Sequence, residues 1–450
     1  MSPIRNLTQG GIARSLMLFT LPMMAGSLLQ QAYNLTDTWI VGHYIGAHAL
    51  AAVGSSYTVM VFLISILWGL AMGSGTVVSI HYGAGQFTAL RRSLFISFIL
   101  IALFTALITL TLFATLDSLL VFLQVPQEVY SPMRTYLWIV FWGIPYSCLY
   151  NFYAAMLRAV GDSVTPLYFL ALSVALNVVL DIVFILLMKE GIAGAAIATV
   201  IAQAVSALGL GMYAYFRRPE LRWKREDCRW DSTSLKEILS FSTLTCLQQS
   251  VMNLGILLVQ GLVNSFGAAV MAAFTIAVKI DSFAYMPVQE FGNAFSTFIA
   301  QNFGARQHER IRKGIKAAFL LSGLFSVFVS ICVYFYAKPL MQLFIAPTEQ
   351  EIVQIGIQFL HTEGLFYIGI GFLFLLYGYY RAVRMPGMSV ILTLLSLGTR
   401  VVLAYLLASI PEINVKGIWW SIPIGWFIAD AVGIGYYYWK RKLPKKNKRT

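Results

Sequence analysis

One acidic residue, Asp37, interrupts an apolar run in YNLTDTWIVG, with Asn34 three residues before it and Thr36 and Thr38 beside it. At this spacing Asn34 and Asp37 share one helix face. A second stretch, NVVLDIVF, repeats the chemistry: Asn177 and Asp181 are one helical turn apart, and Thr199 in the following run offers a hydroxyl oxygen. An ionised carboxylate in an apolar setting is costly unless paired, hydrated or liganded. Two carboxylates facing a shared cavity either hold one proton between like charges or bind a small hard cation such as Na+ with amide and hydroxyl oxygens. Asp37, Asn177, Asp181 and Thr199, with Asn34 alongside, are therefore the candidate cation-coupling residues.

Four more acids fall in apolar runs: Asp281, Glu290, Glu363 and Asp430. Lys279 and Asp281 are two residues apart and do not face each other on an ideal helix. Lys279 offers an ion-pair partner to a carboxylate elsewhere, and Glu290, beyond the bend that Pro287 permits, is a candidate contact for a bound molecule. Glu363 follows His361 at a run's end, where a water-exposed rim position is expected. Asp430 either faces its bundle or pairs with Arg400. Tyr33 and Met286 suit a soft, adaptable wall and Gln248 a polar one, and with Lys279, Asp281 and Glu290 they are the substrate-cavity candidates.

These residues need elements that lie in lipid. Of 450 residues, 58% are hydrophobic and 11% charged, with a mean hydropathy of +0.74, far from soluble composition. The net charge of +13 sits in short segments between apolar runs, which argues against a nucleic-acid surface. The four cysteines, Cys148, Cys228, Cys246 and Cys332, have no paired spacing and no adjoining histidine cluster. There is no HExxH pattern, and no cofactor is expected beyond a coupling ion, H+ and/or Na+.

Apolar runs long enough to cross about 30 Å of hydrocarbon at about 1.5 Å per residue recur twelve times, at 14–36, 50–79, 92–116, 133–156, 164–187, 191–215, 236–262, 270–300, 314–336, 356–381, 387–409 and 415–439. With the amino terminus inside, 26 of the 32 basic residues fall on that side and only Arg134, Lys189, Lys338 and Lys416 fall outside, while Lys279 and Arg400 lie within spans. That bias predicts both termini in the cytoplasm of a multi-pass protein in the cell membrane. The expected organisation is an amino-terminal lobe over 1–216, a connecting loop over 217–235, a carboxyl-terminal lobe over 236–439 and a basic cytoplasmic tail over 440–450, read as a topology anchor and solvated end, with attraction to anionic membrane lipids as the alternative.

The two lobes repeat each other. IGAHALAAVG from Ile45 corresponds to FGAAVMAAFT from Phe266, and YGAGQ from Tyr82 to FGARQ from Phe303, both at an offset of 221. RAVGDSVTP from Arg158 corresponds to RAVRMPGMS from Arg381, and NVVLD from Asn177 to RVVLA from Arg400, both at 223. The predicted fold is all-α: two six-helix bundles related by a pseudo-twofold axis along the membrane normal. Such a pair encloses a cavity that opens to either side by rocking, which points to a transporter.

LPMMAGSLLQQ followed by NLTDTWIVG, then YGAGQ, FGARQ, RAVGDSVTP and NVVLDIVFI, together resemble the multidrug and toxic compound extrusion (MATE) family, specifically its DinF-like branch, over nearly the whole chain. The resemblance implies secondary efflux of small organic compounds, often cationic and aromatic, driven by inward H+ or Na+. It also places the amino-lobe cation site at Asp37, Asn177, Asp181 and Thr199. Other branches carry acids in spans seven and ten. Here span seven reads CLQQSVMN, with Gln248 and Gln249, so coupling is expected to rest on the amino lobe. The alternative is a flippase for a lipid-linked or other large amphiphilic precursor. Its phosphate-bearing cargo would call for several basic cavity residues, whereas only Lys279 and Arg400 lie at membrane depth. The chain is expected to act as a monomer.

Overall fold

The computed structural model describes residues 6–442. The basic tail therefore lies, from residue 443 onward, outside the described residues. Fourteen α-helices account for nearly all of the described chain: α1 Ile12–Tyr44, α2 Ala47–Gly83, α3 Phe87–Phe122, α4 Gln127–Phe141, α5 Ile144–Ala159, α6 Val164–Asp181, α7 Gly191–Arg217, α8 Ser232–Asn264, α9 Ala268–Gly304, α10 His308–Gln342, α11 Gln350–Gly364, α12 Tyr367–Ala382, α13 Pro386–Ala408 and α14 Lys416–Lys442.

Among the described residues, ten helices are long and apolar enough to cross a membrane, and α11 with α12, bent by 50°, makes an eleventh. The span expected at 133–156 is instead two short helices, α4 and α5, broken at Trp142–Gly143. Pro145, in the first turn of α5, has no N–H to continue the ladder, and a Cβ on Gly143 would press on the Val140 carbonyl at 3.0 Å. The break between α11 and α12, at Leu365–Phe366, lies at the corresponding point of the second repeat, 223 residues on.

The turns repeat as well. Left-handed backbone occurs at Gly46 (φ 115°) and Gly267 (φ 97°), at Gly85 (φ 69°) and Arg306 (φ 57°), and at Gly161 (φ 94°) and Arg384 (φ 63°), each pair separated by the repeat offset. Glycine reaches this region freely, whereas a side chain there costs about 1–2 kcal/mol. The arginines hold a geometry their residue type disfavours.

The chain divides into two compact units. The first runs to Ser250 and includes Ala300–Ile311, and the second comprises Val251–Ile299 and the chain from Arg312 onward. In the first, buried Leu94, Leu137, Phe141, Phe152, Leu157 and Leu210 belong to one core. In the second, Phe274, Phe359, Leu373, Tyr380, Trp419 and Ala429 belong to another, with Phe274 stacked on Trp419 at 5.6 Å.

Within the first unit, α6 is fixed at its beginning. Asp162 accepts from the Thr165 N–H at 3.0 Å and from its hydroxyl at 2.8 Å, and the same buried carboxylate is ion-paired with Arg218 just beyond α7. The connecting loop is tied down by Arg91, which donates from Nε to Asp227 Oδ2 at 2.7 Å, and by Trp223, whose ring packs on Phe95 and Phe98. At its other end α6 widens: immediately after Asp181, residues Ile182–Leu187 form a π-helix.

Candidate functional site

In the first unit α6 packs on both α1 and α7, which brings the sequence-predicted residues of three helices together. Asn177 and Asp181 are buried, at 1% and 0% exposure, and Thr199 is nearly so. The carboxyl groups of Asp37 and Asp181 are hydrogen-bonding neighbours, and the Tyr33 hydroxyl meets that of Thr199. With its nitrogen turned to Asp181, the Asn177 amide donates to Oδ2 at 3.0 Å while its oxygen accepts from the Thr199 N–H at 3.2 Å. Thr199 Oγ1 bonds back to the Ala195 carbonyl at 3.0 Å, which fixes its rotamer.

This arrangement sets two acids side by side among neutral amide and hydroxyl partners. Asp37 Oδ1 and Asp181 Oδ1 are buried with no hydrogen-bond donor, and two carboxylates in contact repel unless a proton or cation lies between them. No His, Cys, Asp or Glu group of three or more forms a metal cluster among the described residues. The oxygens at hand are two carboxylates with neutral amide and hydroxyl partners. That donor set suits either a proton or a hard monovalent cation carried through as cargo.

Asn34 stands one turn from Asp37, but its amide donates to Gln31 Oε1 and to the Tyr57 hydroxyl, both at 3.3 Å. It thus links α1 to α2 and makes no bond to either carboxylate. Tyr136 on α4, absent from the sequence reading, is buried and faces Asp37, Tyr33 and Asp181. No periodicity marks it. The π-helix after Asp181 was equally invisible, although such segments concentrate at functional positions because they shift the register of one turn.

The remaining candidates are dispersed. Gln248 is buried on α8 in the first unit, while Lys279, Asp281, Met286 and Glu290 all lie on α9 in the second. Met286 is half-buried. Glu290 accepts from Asn293 Nδ2 at 3.5 Å and faces the buried Arg381, which donates to Asn293 Oδ1 at 3.2 Å.

Two expectations need correction. Lys279 is exposed and makes no ion pair among the described residues; Arg400 is the base that faces Asp281 and Glu363. Glu363 is no rim residue: it is 4% exposed and lies beside Asp281 and Arg400. A helix end can be buried by its neighbours, and here α11 ends at the 50° kink into α12. Asp430 is buried beside Tyr377.

The MatE family matches this chain twice, over residues 22–183 and 245–406, the same two halves that the repeat and the paired turns delineate. The chain is 28% identical to the probable multidrug resistance protein YpnP of Bacillus subtilis, over 97% of each sequence. It is 27% identical to the probable multidrug resistance protein NorM of Thermotoga maritima, over 94% of this chain and 90% of that one. Its fold is similar to that of an outward-facing multidrug resistance MATE family transporter of the MOP superfamily, with a TM-score of 0.92 at 24% identity over 98% of each chain. A MOP superfamily transporter from Pyrococcus furiosus gives a TM-score of 0.91 at 24% identity, over 96% of this chain and 97% of that one.

Proposed function

The chain belongs to the MatE family, and from that premise we propose that it is a DinF-like secondary antiporter exporting varied cationic or amphiphilic organic compounds by alternating access, driven by inward H+ or Na+. The names of its relatives, multidrug resistance proteins, support the cargo class. The bias of basic residues supports twelve crossings with both termini in the cytoplasm, the broken pair α4–α5 serving as the fourth.

One observation carries the mechanism: the neighbouring Asp37 and Asp181 carboxyls, held by Asn177 and left with buried oxygens that no protein donor meets. When a proton or Na+ occupies the pair, repulsion is cancelled and α1 stays against α6. When the ion leaves, the bare charges favour hydration and a different arrangement of these helices. Cargo and ion are thereby coupled through the shape of the first unit without having to touch. Tyr33 and Tyr136 wall the same site, and the π-helix directly after Asp181 departs there from the regular α-helical register.

The test is cargo uptake into inverted vesicles under a pH gradient alone and under a Na+ gradient alone. Uptake with either gradient is the expected result and identifies the ion. No uptake with either, from protein shown to bind cargo, overturns secondary transport.

A further inference from the structure

Residues 7–10 form a strap that leads into α1 and is clamped to the turn between α9 and α10. That turn lies within Ala300–Ile311 and belongs to the first unit, whereas most of α9 and α10 belongs to the second. Arg310, in the first turn of α10, spreads its guanidinium over three backbone carbonyls of the strap: Nε donates to Leu7 at 3.1 Å, Nη2 to Gln9 at 2.8 Å and Nη1 to Gly10 at 2.6 Å. Asn302, near the end of α9, donates from Nδ2 to the Leu7 carbonyl at 3.1 Å. The Leu7 side chain is fully buried, so apolar burial anchors the strap as well. The rigid fork of an arginine fixes several acceptors at once, and these acceptors are main-chain atoms, so the clamp holds the backbone itself.

The strap passes directly into the helix that bears Asp37. The Gly11 carbonyl accepts from the Ser15 N–H at 2.9 Å, the first bond of the α1 ladder. A packed helix carries a displacement along its length as a loop does not. Helix α2 also meets the α9–α10 turn, where a Cβ on Gly83 would strike the Gln301 carbonyl, but α2 bears none of the cation-coupling residues. The strap is thus the direct link from α1 to the turn. The clamp is made on one repeat alone: the positions 221 residues before Asn302 and Arg310 are His81 and Ala89, and alanine has no side-chain donor.

We infer that the strap and Arg310 form a coupling element that ties the base of α1 to the α9–α10 turn, so that an ion-driven movement of α1 is passed to two helices that continue into the second unit. The inference rests on the ion-dependent displacement of α1 from α6 proposed above.

The test follows amide deuterium exchange by mass spectrometry in the full-length protein in lipid nanodiscs. Exchange is compared at two pH values, corrected for the intrinsic rate, and with NaCl or KCl at equal ionic strength. In the wild type, loading with the driving ion should change exchange in α1 and in Ala300–Ile311 together. Arg310→Ala should leave the response of α1 in place and reduce that of the turn about tenfold, the scale of one lost charge-assisted bond. Coupled transport should fall with it while cation affinity stays close to that of the wild type. L7S acts from the strap's side with Arg310 retained and should give the same result, so the test stands even if R310A does not fold. R312A removes an exposed arginine two residues further on and should match the wild type. If α1 in the wild type does not respond to the ion, the displacement proposed above is overturned and this inference with it. If α1 responds but the turn does not, or the turn still responds in folded R310A or L7S, the coupling element alone is overturned. Unimpaired coupled transport in either folded variant overturns it as well.

Discussion

Asp37 on α1 and Asp181 on α6 place their carboxyl groups side by side in the first unit, each with an Oδ1 that no donor reaches. The pair is therefore one chemical unit, whose mutual repulsion a single proton or cation between the two carboxyls relieves. Asp181→Asn should lower coupled transport about tenfold or more, the scale set by losing one charge-assisted contact of about 1.5–3 kcal/mol. Asp37→Asn should do likewise. The double variant should lose less than the two single losses combined, since both changes remove the same unit. Transport rates and cation affinity of all three variants in matched vesicles, with folding verified, provide the check. Fully additive losses with unchanged cation affinity would refute a shared site.

Asn177 is predicted to act through Asp181. Its amide spans from Asp181 Oδ2 to the Thr199 N–H, so Asn177→Ala leaves a buried carboxylate oxygen and a backbone donor without that partner. Loss of such a bond is worth about 1–3 kcal/mol, and cation affinity should fall by about tenfold. Asn177→Asp adds a third carboxylate and should shift the pH dependence of transport to higher pH, because like charges favour proton uptake. Transport measured across a pH series distinguishes this from simple loss of packing, which would lower the rate at every pH alike.

Much of this site was legible in the sequence, for a local reason. Polar residues in lipid-length runs are conspicuous, and spacings of three or four residues fix which of them share a face, so Asp37, Asn177 and Asp181 could be grouped before any fold was known. Tyr136 could not, because tyrosine is common in membrane helices and only the packing of α4 turns it toward Asp37. Asn34 shares the face predicted for it, yet Tyr57, on another helix, takes its amide. Glu363 and Lys279 differ from expectation because whether a charge in a span is buried depends on what other helices bring to it: Arg400 and Tyr367 come to Glu363, while Lys279 is left exposed. The repeat, by contrast, was readable from offsets of 221 and 223, and the structure carries it down to matching left-handed turns.

Gly83 and Gly304, also 221 residues apart, test how closely the helices must approach. A Cβ on Gly83 would collide with the Gln301 carbonyl, and one on Gly304 with the Ile80 carbonyl, the two contacts being related by the repeat offset. Neighbouring Gln301 also donates to the Ala159 carbonyl at 2.8 Å. Small residues at membrane helix crossings allow such backbone approach, and overpacking costs about 1–3 kcal/mol. Gly83→Ala should lower the thermal unfolding midpoint in detergent, while Gly435→Ala, whose Cβ would meet nothing within 4 Å, should leave it nearly unchanged. Equal midpoints for the two variants would show that the crossing tolerates separation.

The connecting loop supplies a prediction with a pH sign. Asp227 is 3% exposed, and burial alone would push its carboxyl up. The Lys224 N–H at 3.0 Å, the Arg91 bond at 2.7 Å and the charges of both residues outweigh that and hold it below the usual carboxylate range. A group whose folded pKa is depressed contributes stability that is fully present above its unfolded value, about 4, and is lost as pH falls through the folded value. Asp227→Asn should therefore destabilise the protein by about 1–2 kcal/mol near neutral pH, the scale of a charge-assisted hydrogen bond partly screened by water. The gap between wild type and variant should hold steady down to about pH 5 and close as the carboxyl protonates in more acidic buffer. Unfolding midpoints of both proteins across this range decide the matter. A gap that stays the same on acidification would mean that Asp227 is held by packing and not by its charge.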